Sequence, residues 1–379
     1  MKTEQLVYEK GKGWLKQYST EEFPAKDTQL VLTFGPKKLL SDKKLLNVIK
    51  DNYPKADIVM SSTGGEIHNV SVNLNTIVAT AIYLEKTSCV PIQFNLSDYS
   101  SSDELGAGIT KKLDSEELKH ILIFSDGYKI NGSKLVAGIN RGLNPKVVVT
   151  GGFAGDDKDY METYVGLNEI DKTGNAVAIG FYGRSLKIGF GSEGGWDEFG
   201  PKREVTLSKG NVLYELDGKN ALDLYKLYLG PKAEHLPNTA LLFPLSIKLN
   251  ENSFPIVRTV LSIDEKDKSI TFAEDLPEGT IVRLMKASYN TLIEGASNAA
   301  RNSILKIASP ELVLVKSCVG RKLVLGPRTE EEIEAIVDII GDGACYTGFY
   351  SHGEIAPSQV GYNCDLYNQS LTLTTYLEI

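Results

Sequence analysis

Three short stretches of the chain combine small hydroxyls, glycine and an acid. They are Ser61-Ser62-Thr63-Gly64-Gly65-Glu66, Gly151-Gly152-Phe153-Ala154-Gly155-Asp156-Asp157 and Tyr350-Ser351-His352-Gly353-Glu354. Each follows an apolar, strand-like run. Hydroxyls and bare backbone amides donate to an anion, and glycine lets a ligand approach the main chain. A carboxylate at the loop end accepts from a cation. Ligands of α/β sheets gather beyond the carboxyl ends of the strands. If the three loops meet, they frame a small polar pocket. The plain alternative is three turns whose glycines only supply positive φ. One such loop favours the turn; three of one form favour a site.

Arg321, in Ser317-Cys318-Val319-Gly320-Arg321, follows another strand-like run. An arginine there could clamp a carboxylate with two parallel bonds, or pair with an acid such as Glu354. Glu66, Asp156 or Glu354 would take an ammonium group. His68 and His352 lie beside glycine-acid loops, but no H-E-x-x-H spacing supports a metal. Cys318 could be a nucleophile, yet no histidine is tied to it in sequence, so a buried structural cysteine is the better reading. Glu66 and Glu354 as a general acid and base are the minority view, because acids at loop ends more often cap. Gly189-Phe190-Gly191-Ser192-Glu193-Gly194 fits G-x-G-x-x-G, but no helix pattern follows, so the dinucleotide reading is rejected. Neither a Walker A sequence nor a G-x-S-x-G elbow is present.

The elements that must position these residues follow from patterning. The 379 residues allow two domains. A net charge of −8 argues against a nucleic-acid partner. Cys89, Cys318, Cys345 and Cys364 form no C-x-x-C pair and suit a reducing compartment. There is neither a signal-peptide core nor an apolar run of about 20 residues, so no membrane segment and a cytoplasmic location are expected. Strands are predicted at 30–34, 56–60, 76–84, 89–96, 120–124, 146–150, 311–318 and 371–379. Helices are predicted at 39–53 with Ser41 as N-cap, and at 101–113, 133–140, 220–230, 288–304 and 330–340. Hairpins are predicted over 175–191 and 203–218. The fold class is α+β, two domains with mixed sheets flanked by helices. HILIFSDG–helix–VVVTGGFAGDD and LVLVKSCVG–helix–CYTGFYSHGEI share one order of parts, a hint of internal duplication.

The same residues carry a family resemblance. The chain resembles the FIST sensory proteins through the 61–67 and 151–157 loops and Gly195-Trp196-Asp197-Glu198-Phe199-Gly200-Pro201. The likeness continues through Leu213–Gly218, Ala221–Tyr225, Leu276–Gly279, Ser317–Arg321 and Gly348–Pro357. It spans residue 30 to the C-terminus and rests on the order of the motifs. It implies a lead-in at 1–28, a FIST N-terminal domain at 29–219 and a FIST C-terminal domain at 220–379. It further implies a sensor, not an enzyme, that binds a small polar ligand, an amino acid or related carboxylate, without a cofactor. Closure of one domain on the other would signal to a separate partner such as a histidine kinase. The runner-up is a haem-based nitric-oxide sensor regulating such a kinase, although no histidine matches an axial ligand. A third reading is a hydrolase. The chain departs from the pattern at Ser62, where cysteine is expected, at Gly64, where alanine is expected, and at His352, where an aromatic residue is expected. The implied ligand set is Ser61, Ser62, Thr63, Gly64, Gly65, Glu66, Gly152, Gly155, Asp156, Asp157, Cys318, Arg321, Tyr350, His352, Gly353 and Glu354.

Overall fold

The computed structural model describes residues 1–156, 162–236, 238–248, 256–357 and 363–379, so Asp157 lies outside the described residues. Alternation along the apolar runs sets the architecture, because successive side chains of a strand point to opposite faces. Leu30, Leu32 and Phe34 enter one cluster, while Val31 joins another with Ile58 and Met60. Leu122 and Phe124 enter that same first cluster, while Ile121 and Ile123 pack elsewhere. Leu312 and Leu314 do so too, with Val313 and Val315 on the opposite face. Three sheets therefore share one inner core, and each has its own outer core. Burial on both faces explains why these strands read as nearly continuous apolar runs.

Each sheet is built the same way. The first unit contains β1 (Lys2–Glu9), β2 (Gly13–Ser19), β3 (Leu30–Phe34), α1 (Lys37–Leu40), α2 (Lys43–Asn52), β4 (Asp57–Ser61), β5 (Glu66–His68), β6 (Ser71–Asn73) and β7 (Thr76–Tyr83). The second contains β8 (Ser88–Asn95), α3 (Ser102–Leu113), β9 (Leu118–Ser125), α4 (Gly132–Gly142), β10 (Val148–Phe153), β11 (Val165–Leu167) and β12 (Asn175–Tyr182). The third begins with β13 (Leu186–Glu193) and resumes after a long insertion.

The insertion holds β14 (Asp197–Lys209), β15 (Val212–Leu216), β16 (Lys219–Asn220), α5 (Ala221–Leu229), β17 (Leu245–Lys248), β18 (Ile256–Arg258), β19 (Val260–Asp264), β20 (Ser269–Phe272) and β21 (Ile281–Lys286). It has its own core around Tyr225, Phe243, Phe272 and Leu284. α6 (Tyr289–Ser303), opened by a Ser288–Thr291 capping box, returns the chain to the third unit. There follow β22 (Leu312–Cys318), α7 (Val319–Leu325), α8 (Glu330–Ile340), β23 (Cys345–Ser351), β24 (Gly353–Ala356), β25 (Asp365–Tyr367) and β26 (Leu371–Glu378).

In every unit two parallel strands flank a helix: β3 with β4, β9 with β10, β22 with β23. A later antiparallel strand, β7, β12 or β26, joins the first of each pair, and β1, β8 or β13 lies outside it. The short strand after each pair crosses to the next sheet. β5 pairs with β23, β11 with β4, and β24 with β10. The exchange is cyclic, so the three units form a pseudo-threefold ring.

Several sequence expectations change. The duplication between the second and third units is present, but the first unit is a third copy. The 1–28 lead-in supplies β1, which pairs along its length with β7. The expected hairpin at 175–191 is not one: β12 joins the second sheet and β13 the third. The 203–218 hairpin forms, with Lys209 opposite Val212. The 39–53 segment breaks into α1 and α2, because the Asp42 carboxylate, not Ser41, accepts from the Lys44 amide and caps α2. The segment after Cys318 forms helix α7, which carries Arg321. Among the described residues no helix is long and apolar enough to cross a membrane.

Candidate functional site

The three glycine loops meet. Each lies at the end of the second parallel strand of its unit, and the three are joined by a ring of main-chain hydrogen bonds. The Gly64 amide donates to the Tyr350 carbonyl at 2.8 Å, Gly155 to Ser62 at 3.0 Å, and His352 to Phe153 at 3.2 Å. In each case the donor stands two residues after the acceptor position of its own unit, so the ring repeats the threefold relation. The Ser62 hydroxyl adds a bond to the Gly155 carbonyl at 3.0 Å. Lys322 Nζ donates to the Gly64 carbonyl at 2.6 Å.

Close approach explains two of the glycines. A Cβ on Gly155 would lie 2.6 Å from the Tyr350 carbonyl oxygen and 2.9 Å from the Gly64 nitrogen. Gly65 has φ 151°, where a side chain is strained. Gly155→Ala is expected to lower the unfolding free energy by about 1–3 kcal/mol, as overpacking does. Amide exchange at Gly64 should accelerate with it. Unchanged stability and exchange would show that the loops part easily.

The ring uses most of the expected ligand donors internally. Glu66 is buried and accepts from the Thr63 hydroxyl, the Thr76 hydroxyl at 2.9 Å and the Thr76 amide at 3.3 Å. Glu354 repeats this: it accepts from Ser351 at 2.6 Å and from the Ser370 hydroxyl at 2.7 Å. The two are equivalent by register, Glu66 opposite Phe349 and Glu354 opposite Gly152. Val165, opposite Ser61, holds that place in the second unit. Asp156 is therefore not the third copy of the acid. Burial pushes the Glu66 carboxyl up to about 7 and the Glu354 carboxyl up to about 8.

Arg321 is not open to a ligand. Its guanidinium is fully buried and pairs with Glu332, Nη2 to Oε2 at 2.8 Å and Nε to Oε2 at 3.1 Å. It also donates to the Leu292 carbonyl at 2.9 Å and to the Gly194 carbonyl. Glu332 further accepts from Tyr350 at 2.6 Å and Ser317 at 2.9 Å. The acid partner is thus Glu332 from α8, not Glu354. The Cys318 thiol is buried, and desolvation pushes it up to about 12, so it carries little thiolate near neutrality. Gly152 and Gly353 lie within paired strands and Ser61 is fully buried.

What faces outward at the junction is a smaller set. His352 Nε2 lies 3.5 Å from Asp156 Oδ1, both side chains being partly exposed. The Tyr128 ring stands edge-on to His352 at 5.1 Å. Beneath them, Asp126 accepts from the Tyr128 and Lys129 amides at 2.8 and 3.0 Å, and from Thr163 at 2.8 Å.

Sequence reasoning passed over Lys316. In the ladders it occupies the place held by Phe34 and Phe124 in the other units, opposite Phe349. It is fully buried, and Nζ donates to Thr374 at 2.6 Å. A Cβ on Gly152 would lie 3.7 Å from its Cδ. Desolvation pulls its ammonium down to about 7, with Glu354 opposing. One charged residue at an inner-face position of an apolar strand was the available signal.

His120 is buried, with its ring nitrogens on the Val148 carbonyl and the Tyr376 hydroxyl. His68 is buried with Nε2 on Asn73, His235 ends the short 3-10 helix Gly230–His235, and His352 stands against Asp156. Cavities of about 230 and 470 Å³ lie elsewhere, and no histidine lines either. Among the described residues no group of three His, Cys, Asp or Glu could hold a metal.

Comparison with known proteins now adds the family. No curated protein matches the sequence. Among solved structures, the chain shows a distant likeness to a chorismatase, 8% identical over 99% of this chain and 98% of that one, with a TM-score of 0.35. A cyanuric acid hydrolase is 8% identical over 95% of this chain and 93% of that one, with a TM-score of 0.36. Likeness at that level carries no argument about chemistry. Residues 29–219 match the FIST N domain and residues 221–357 the FIST C domain. The sheets cross that division, since β13 pairs with β26. On these two matches, covering most of its length, the chain belongs to the FIST family of sensory domains, and its role is sensory, in signal transduction.

Proposed function

We propose that the chain senses a small polar ligand, an amino acid or related carboxylate, at the outward rim of the loop junction. The signal passes to a separate partner protein such as a histidine kinase. In this reading the chain is a cytoplasmic binding protein, not an enzyme, and needs no cofactor, nucleic acid or membrane. The observation that carries it is the meeting of loops from three units at one point, with His352, Asp156 and Tyr128 at its outer face. A ligand bridging this rim would touch the second and third units together. Its binding would then bias how the units pack, the coupling a sensor requires.

Thermal unfolding against a panel of amino acids and small carboxylates tests this. A ligand at 100 times its dissociation constant adds about 2.7 kcal/mol of stability. His352→Ala should abolish the shift in protein whose unliganded unfolding remains cooperative. A flat panel on folded protein would overturn the reading. A Soret band in purified protein would instead favour the haem alternative.

A further inference from the structure

The inserted domain meets the ring at two places of opposite character. At its root the chain leaves and re-enters the third unit through one strand pair, with Asp197 of β14 opposite Lys286 of β21. This neck is apolar and closed. Trp196 and Met285 pack with Leu292 of α6 and Leu325 of α7, and the Trp196 indole donates to the Gln369 carbonyl at 2.6 Å. The Gly194 carbonyl just before it accepts from the buried Arg321.

On its far side the same domain faces α4 and β25 across a cleft of about 470 Å³, walled by Val136 and Arg141 of α4, Ile256 and Arg258 of β18, and Asp365 of β25. A packed apolar interface leaves no such space. What crosses this boundary is polar. Glu274, just after β20, accepts from the Ser133 hydroxyl at 2.6 Å and the Ser133 amide at 3.3 Å, in the first turn of α4. Arg258 stands among Glu274 and Asp275 of its own domain and Asp365 of the second sheet. Water replaces such bonds at small net cost once the groups are exposed. Separating the neck would instead bare Trp196 and Leu292 to water. Domains of one chain move relative to one another unless a large apolar interface holds them.

We propose that the inserted domain is an arm that pivots on its neck, and that Glu274 with Ser133 is the latch holding it closed on α4. Gly194 and Gly195 precede the outgoing neck strand, and Ala287 and Ser288 follow the returning one. These are small residues at element ends, where hinges absorb their rotation. Release of the latch opens the cleft and turns β18 and the segment around Glu274 away from α4. The motion gives the chain two discrete shapes, and it depends on neither the rim nor a ligand there.

Pulsed electron spin resonance across the boundary of the full chain tests the proposal. Spin labels are placed through Lys112→Cys of α3 and Leu227→Cys of α5, both exposed, in a Cys89→Ser background, since the other three cysteines are buried. The labelled chain with its latch intact should show one dominant distance. Glu274→Ala should move at least half of the molecules to a longer and broader one. Ser133→Ala keeps the carboxylate and should move a smaller share the same way; it covers the case in which Glu274→Ala does not fold. Amide exchange in β20 and β21 should stay at the wild-type rate in both, because the arm moves as a body. One narrow distance shared by the intact chain and every folded latch variant would overturn the proposal. So would a longer distance accompanied by fast exchange in β20 and β21, which would mean that the inserted domain unfolds rather than pivots.

Discussion

Replacing Arg321 by methionine is expected to lower the unfolding free energy by about 3–5 kcal/mol, the usual cost of removing one partner of a buried ion pair. The partner left behind is Glu332, fully buried, with the Tyr350 and Ser317 hydroxyls to hold its charge. Two carbonyls, Leu292 and Gly194, lose their donor at the same time. Arg321 therefore ties α6, α7 and α8 and the entry to the inserted domain through one side chain. The double variant Arg321→Met/Glu332→Leu should recover much of the loss, because matched apolar groups often replace a buried pair at little cost. Denaturant unfolding of the three proteins measures both effects. A single variant within about 1 kcal/mol of wild type, the range of exposed ion pairs, would show that the pair is not buried in solution.

The same residue shows what the sequence could and could not reveal. An arginine after an apolar strand has the same local appearance whether it clamps a ligand or an internal acid. The acid that decides it lies on α8, and no spacing rule brings Glu332 to Arg321. The strands themselves were readable, since sheets buried on both faces give uninterrupted apolar runs at 30–34, 120–124 and 311–318. Their partners were not. β12 and β13 are joined by a short turn yet enter different sheets, and β5, β11 and β24 each leave their own unit. Local patterning carries no information about such exchanges. The loops were legible as a recurring form, and they do converge. Most of their donors also meet each other, a set of long-range bonds that no local pattern records. Lys316 was hidden for the opposite reason: it breaks the apolar pattern where the sister strands carry phenylalanine, but the equivalence becomes visible only through the ladders.

Stability should fall as pH rises from about 4.5 toward 8, and Glu66→Gln should remove a defined part of that slope. Glu66 has a folded value of about 7 against an ordinary 4.5, with desolvation as the largest cause and the Thr63 and Thr76 bonds opposing it. Below 4.5 both states hold the proton, and the contribution to stability is complete. Between 4.5 and 7 the unfolded chain releases its proton first, so each step upward favours unfolding, and the contribution is gone above the folded value. A shift of this size corresponds to about 3 kcal/mol. Glu354 acts in the same direction, but it titrates together with Lys316, whose lowered value adds stability as pH rises past 7. Glu66 is the cleaner probe for that reason. Its amide variant should match wild type near pH 5 and exceed it in stability near pH 8, with a difference of up to about 3 kcal/mol. Because Glu66 closes the first loop of the ring, wild-type amide exchange at Gly64 and Gly155, corrected for intrinsic pH dependence, should also rise across this window and stay flat in Glu66→Gln. Parallel slopes in the two proteins would mean that Glu66 ionises freely in the folded state, and that the loop ring is open to water.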